Sequence, residues 1–292
     1  MTPEARSRLR RVPRVKRARG YRLYTYDGRR MLDLWQAAGQ AILGHRGAGV
    51  ATRVKAVLDR GLLVALPTPA EHRLERALGR LFAGLPGSRF AVFADRERAV
   101  EAVAAALGRR ADECRPIDPV RLALALEPEV ASPRVFWWRP FVPVDFDPAA
   151  RADAGVLFPI LPAGSVWGAQ PVVYPSALGI ELESDLIAEP ALAALTVAAD
   201  ALVSAPDRAS VSLHGFASAG PYLMPMQVIG SASRLDSGRA DDGASDAAYG
   251  EVFDRFLGAG VILSPDPAIP SIYPAEASDG ERSLLNAVAR GE

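Results

Sequence analysis

The residues best placed to do chemistry are Asp95, Arg96, Glu97 and Arg98, which follow the apolar run Phe90-Ala91-Val92-Phe93 and lead into the pattern Ala99 to Leu107. Phe90, Val92 and Phe93 predict a buried strand, and the Ala/Val/Leu/Glu mixture after Arg98 predicts a helix with Asp95 as its N-cap. A helix that starts directly off a buried strand turns its free N–H groups and the positive end of its dipole toward the sheet edge, where an anion such as phosphate can sit. Two guanidiniums in this turn can hold an anion bidentately, whereas two carboxylates repel it and no glycine opens the backbone for close approach. Positions 96 and 98 lie about 200° apart around a helix, so at most one of the two arginines can face a cleft at the strand end.

Other reactive side chains are sparse. Lys16 and Lys55 are the only lysines, every other basic residue being arginine. His45, His72 and His214 show no ligand spacing with one another or with the single Cys114, so no metal site is expected. Gly164-Ser165-Val166-Trp167-Gly168 has the outline of a nucleophile elbow, but its centre is valine and offers no hydroxyl. Phe136, Trp137 and Trp138 read as core and interface rather than as a platform for a stacked ring.

The chain that must position these groups has 292 residues, 49% of them hydrophobic, enough for one large or two smaller cores. Lys+Arg and Asp+Glu number 34 each, so the whole molecule has no bulk attraction for nucleic acid or membrane. One cysteine rules out an internal disulfide framework and makes the cytoplasm the expected compartment. No apolar run approaches the length of a membrane span. Residues 1–19 read as a basic arm; no aromatic residues interleave its charges, which disfavours nucleic acid as its partner. Asp27-Gly28 marks a hairpin, Val50, Val54, Val57 and Leu58 predict one face of a helix, and Thr68-Pro69 with Glu71 predicts the start of another running to Phe82. Residues 231–246 read as a solvated polar loop.

The order of these features is recognisable. The Tyr-Asp-Gly hairpin, LDLWQAAGQAILGH, the Pro-started helix with AEHRLERAL, LPGSRFAVF and AVEAVAAAL resemble the N-terminal third of the class III pyridoxal-phosphate aminotransferases, the glutamate-1-semialdehyde aminomutase group. Tyr249 to Val288 resembles that family's closing segment, and PALAALTVAADALVSAPD resembles its Ala-rich helix. The resemblance implies an α/β, fold-type-I architecture in reduced form: a large domain with a mainly parallel sheet over 66–205, and a small α+β domain from 20–65 and 206–292. It also implies a homodimer.

The family's chemistry requires a lysine that forms a Schiff base with the cofactor, and neither Lys16 nor Lys55 stands where the resemblance places it. The phosphate cup aligns with Asp95-Arg96-Glu97-Arg98-Ala99, the aspartate partner of the pyridine ring is missing, with Asp185 a poor stand-in, and no Tyr-His-Gly triplet follows the next strand. The expectation is therefore a catalytically degenerate relative without bound pyridoxal phosphate and without catalytic residues of its own, acting as a binding or scaffold homodimer or as partner of an intact paralogue. The competing expectation is an enzyme that takes a small anionic substrate in the remodelled cleft without an internal aldimine.

Overall fold

The structure is a computed structural model and describes residues 1–85, 87–126, 134–150, 155–162, 168–226 and 242–292. Two compact units emerge. Residues 1–46, 123–126 and 208–292 form the first, and 47–122 with 127–207 form the second.

The first unit opens with α1 (Pro3–Arg11), whose N-terminus is capped by the Thr2 hydroxyl accepting from the Ala5 N–H at 3.1 Å. The segment read as a basic arm is thus a helix followed by β1 (Val15–Arg19). It escaped a periodicity reading because arginines rather than an apolar stripe attach it. Arg8 is buried, donates to the Pro265 carbonyl at 3.0 Å and to Asp246 Oδ2 at 2.5 Å, and lies 5.2 Å from the Tyr249 ring centre. Arg11 pairs with Asp254 at 2.6 Å. β2 (Arg22–Thr25) and β3 (Arg30–Asp33) then form the hairpin around Asp27-Gly28, antiparallel to β1 and to each other.

After β3 the chain makes an unusual turn. Gln36, Ala37 and Ala38 take positive φ angles of 47°, 48° and 59°, a left-handed conformation costing about 1–2 kcal/mol at each non-glycine residue. Buried hydrogen bonds hold it. Asp33 Oδ1 accepts from the N–H groups of Trp35 and Gln36, both at 2.9 Å, and Oδ2 lies 2.8 Å from His45 Nε2. The Gln36 side chain, wholly buried, donates to the Ile272 carbonyl at 3.0 Å. His45 is therefore part of the hydrogen bonding that holds this turn.

In the second unit come α2 (Val50–Leu58), α3 (Ala70–Leu81), β4 (Ser88–Phe93), α4 (Arg96–Ala106), the short α5 (Pro119–Ala123), β5 (Val135–Trp138), β6 (Val156–Pro159), β7 (Gln170–Pro175) and α6 (Glu189–Val203). α2 buries Val54 and Val57, but Leu58, expected on the same face, is 40% exposed. The Thr68 hydroxyl accepts from the Ala70 N–H at 3.2 Å at the start of α3, and Phe82 follows its last turn. α6 packs against both α2 and α3, which is why its apolar residues are not confined to one stripe.

The sheet order is β4-β7-β6-β5. β5 and β6 are parallel and β7 runs antiparallel to both β4 and β6, so β4, β6 and β5 share one direction and β7 alone is reversed: three of the four strands run the same way, as expected, with one reversed strand between β4 and β6. The apolar runs that suggested parallel strands are there because the strands are buried: β6 and β7 hide Val156, Phe158, Val172 and Val173, and burial alone produces such runs in either orientation. Val135, Val156 and Phe158 from the sheet meet Ala99 and Val103 of α4 in one core.

The chain returns to the first unit with β8 (Phe216–Ala219), β9 (Tyr222–Pro225), α7 (Asp242–Gly258), β10 (Val261–Ile262), β11 (Ser271–Ile272) and α8 (Asp279–Arg290). β10 adds in parallel to β3, and β11-β9-β8 make a separate antiparallel sheet. The polar stretch expected as a loop over 231–246 lies outside the described residues up to 241, and from Asp242 it is the start of α7. Leu32, Leu34, Phe253, Phe256 and Leu285 join in this unit's core. Among the described residues no helix is long and apolar enough to cross a membrane.

α8 begins with a reciprocal capping box between Ser278 and Glu281, and Arg22 Nε and Nη2 donate to the two Glu281 oxygens at 2.7 and 2.6 Å. Burial alone would raise the Glu281 pKa, but the Arg22 and Ser278 hydrogen bonds outweigh it and hold the carboxyl down to about 2, against 4.5 ordinarily. A depressed carboxyl pKa contributes stability that is complete above about 4.5 and is lost as the pH falls toward 2. With Arg22 partly exposed, the contribution is on the order of 2 kcal/mol. Denaturant titrations at pH 6 and pH 2.5 should show this loss in the parent and a smaller one in Glu281→Gln; equal slopes would remove Glu281 from the acid sensitivity.

Candidate functional site

The strand-turn-helix at 88–106 forms as the sequence predicts. Asp95 caps α4, its Oδ1 accepting from the Arg98 N–H at 2.8 Å. That hydrogen bond uses one of the amides an anion would need. Ala94, the last residue before the cap, donates its N–H to Asp185 Oδ2 at 2.9 Å, while the Asp185 N–H donates to the Val92 carbonyl at 2.9 Å. Asp185 therefore ties the segment after β7 to the end of β4.

The two arginines of the turn part company, as their spacing requires. Arg98 Nε lies 3.6 Å from Asp185 Oδ1. Arg96 lies over the face of Trp137, 4.2 Å from the ring centre, and Trp137 in turn meets Phe158 edge-on at 5.7 Å. Much of the Arg96 side chain reaches solvent, yet its guanidinium is flanked by enough protein that desolvation, and secondarily the positive Arg139, lower its pKa. Among the described residues no carboxylate pairs with it. Glu97 is exposed.

Beside this stands a pair that sequence reasoning missed. Arg139, just past β5, donates through Nε to Asp118 Oδ1 at 2.9 Å and through Nη2 to Oδ2 at 2.6 Å, with both side chains at least 90% buried. Asp118 also accepts from the Val120 N–H at 3.1 Å. The available signal was a lone arginine ending an aromatic strand, which must find an anion once buried. Nearby, Asp147 is held above the ordinary carboxylate range, chiefly by burial, against the Ala149 N–H at 2.9 Å. The Trp138 indole N–H lies close enough to steady that carboxylate without forming a hydrogen bond of normal geometry.

The remaining candidates are dispersed. Phe136 and Trp138 are core residues, as expected, with Trp138 packed edge-on against Phe82 at 4.8 Å. His72 is exposed beside Glu75 at 3.6 Å, His214 is exposed, and Cys114 is buried, which pushes its thiol pKa up. Among the described residues no His, Cys, Asp and Glu cluster could hold a metal ion. Residues 163–167 of the elbow-like stretch lie outside the described residues. Lys16 is exposed on β1 and Lys55 is exposed on α2.

No family model matches the chain. An uncharacterized protein of Treponema pallidum is 37% identical over 161 residues, 51% of this chain and 50% of that protein. Glutamate-1-semialdehyde 2,1-aminomutase of Aeropyrum pernix is 47% identical over 66 residues, 22% of this chain and 15% of the enzyme. Among solved structures, the ornithine aminotransferase of Toxoplasma gondii ME49 superposes with a TM-score of 0.61 at 11% identity, over 95% of this chain and 89% of its own. The chain has the fold of the class III aminotransferases. The N-acetylornithine aminotransferase of Stenotrophomonas maltophilia K279a has the same fold, with a TM-score of 0.57 at 14% identity over 97% of this chain and 95% of its own. The matches to the first-named relatives span half of one protein and less than a sixth of the other.

The residues of this chain do not fit the pyridoxal phosphate that the fold implies. The one lysine of the second unit is exposed on α2. At the start of α4, Asp95 takes up the Arg98 amide, and the Asp95 and Glu97 carboxylates repel a dianion on the order of 1–4 kcal/mol for each close pair. The Trp137 face, where a flat ring could stack, carries Arg96.

Proposed function

We propose that this aminotransferase relative is catalytically degenerate and works as a binding or scaffold protein in the cytoplasm, as a homodimer or as partner of an intact paralogue. One observation carries the reading: both lysines, Lys16 and Lys55, are solvent-exposed on elements remote in sequence from the strand-turn-helix at 88–106, so no amine is placed to take a cofactor aldehyde there. The homodimer rests on the family and on exposed aliphatic residues in the second unit. Leu63, Val64, Leu66 and Leu186 are 62%, 64%, 48% and 58% exposed, and the Ala65–Ala188 bridge brings the two segments together.

A second reading, an enzyme that binds a small anionic substrate in the remodelled cleft without an aldimine, draws on Arg96, whose guanidinium has no carboxylate partner among the described residues.

Borohydride trapping separates the two parts of the main proposal from one another. The protein incubated with pyridoxal phosphate, reduced and mapped by mass spectrometry should carry no stoichiometric pyridoxyl adduct, while light scattering at micromolar concentration should give twice the chain mass. A stoichiometric adduct on Lys55 would overturn the degenerate reading. A monomer alone in solution would leave the hetero-partner form and remove the homodimer.

A further inference from the structure

The first unit holds a second, independent concentration of positive charge. Residues 1–46 contain twelve basic and three acidic side chains. α1 uses two of the basic ones, Arg8 and Arg11, in ion pairs. The sheet register gathers several of the rest: Arg17 is opposite Tyr24 and Tyr24 opposite Arg30, while Arg19 is opposite Arg22. Cross-strand partners share a face, and alternate residues of one strand do too, so these four arginines and Tyr24 stand on the same side of the sheet. Over that side lies a trough of about 470 Å³, floored by Arg19, Arg22, Tyr24 and Arg30 and walled by the segment leading into α8.

The hydrogen bonds say which charges are still available. The Glu281 carboxylate is fully used by Arg22 and Ser278, so this buried acid offers little negative potential to the trough. Arg22 is fixed in place by the same contacts and by its bond to the Glu276 carbonyl at 3.0 Å. Arg30 Nη2 is 3.9 Å from Glu281 Oε1, beyond hydrogen-bonding distance, and the Arg19 side chain makes no ion pair among the described residues. Arg17 is committed to the Tyr24 ring at 4.2 Å. Two forked guanidiniums with spare donors therefore flank a third that is held rigid, and the exposed Glu276 carboxylate is the one acid of the lining that remains to oppose an anion.

We infer that this trough binds the phosphate group of a small phosphorylated molecule, with Arg19 and Arg30 as the gripping residues and Arg22 as the fixed donor between them. A phosphate accepts hydrogen bonds from several directions at once, which suits guanidiniums converging from different strands better than a single planar carboxylate does. The wall at α8 closes the basic surface on one side, which favours a small ligand over a polyanion running across the sheet. The site lies wholly in the first unit and is independent of the degenerate reading of the α4 turn.

Calorimetry on the full chain in a phosphate-free buffer, with inorganic phosphate and then pyrophosphate as probes, tests the site. Both should bind saturably at one equivalent, with pyrophosphate the tighter. The Arg19→Ala/Arg30→Ala variant should lose at least tenfold in affinity at an unchanged melting temperature, because both side chains are exposed. Glu276→Gln should gain several-fold, and Arg96→Ala should bind as the parent does. Absence of saturable binding, or retained affinity in the double variant, would overturn the proposal. So would a single-stranded oligonucleotide that binds through the same arginines and is not displaced by pyrophosphate.

Discussion

Replacing Arg139 by alanine should destabilise the second unit by about 3–5 kcal/mol, because Asp118 would be left buried and without its cation. The charged pair itself is not the source of so large a number. Bringing two charges out of water offsets most of what their attraction returns, and the loss arises when one is removed and the other stays. Removing both should therefore be milder: Arg139→Met with Asp118→Leu should recover most of the deficit. Asp118→Asn keeps the Val120 cap but not the charge and should fall between. Urea denaturation of the four proteins measures this directly. A loss below about 1 kcal/mol in Arg139→Ala would mean that water reaches Asp118 in the folded state, and the pair would then have to be regarded as a surface one.

A methyl group at position 155 should do comparable damage for a different reason. Gly155 is buried just ahead of β6, and a Cβ there would stand 1.7 Å from the Arg134 carbonyl oxygen and 2.7 Å from its carbon. The same carbonyl accepts from the Val156 N–H at 3.0 Å, and Val156 is in register with Val135 in the parallel pair. Nothing flexible can yield, since the obstructing atoms belong to the neighbouring backbone. Gly155→Ala should cost at least about 3 kcal/mol, at the upper end for overpacking. Gly179→Ala supplies the comparison: its φ of +64° is left-handed, but no atom lies within 4 Å of the added carbon, so backbone strain alone acts and about 1 kcal/mol is expected. If the two variants melt together, β5 and β6 are not as closely apposed as described.

Local signals in the sequence carried far. The Asp27-Gly28 hairpin, the Asp95 cap and the parting of Arg96 from Arg98 all follow from turn chemistry and helical spacing, which act over a few residues. What was not legible depends on partners distant in the chain. Arg8 meets Asp246 across more than two hundred residues, so α1 looked like an unattached basic arm. The one reversed strand of the second unit, β7, was not legible because buried strands show the same apolar runs whether they run parallel or antiparallel, and only the pairing of β7 with β4 and β6 decides. At the α4 turn, the sequence showed which side chains were present. It could not show that Trp137, 39 residues beyond Arg98, would lie beneath Arg96 rather than face an open cleft.

The placement of the two lysines also makes the chain unusually easy to mark. Lys16 is exposed on β1 in the first unit and Lys55 is exposed on α2 in the second, and apart from the terminal amine they are the only primary amines among 292 residues. Once the terminal amine has been acylated selectively near neutral pH, where it is the less protonated of the amines, an amine-reactive fluorophore or spin label attaches once to each unit without any engineered cysteine, and Cys114 is buried. The native chain thus carries its own two-point ruler, ready to report the distance between its two units in solution and whether pyrophosphate or an assembling partner changes it.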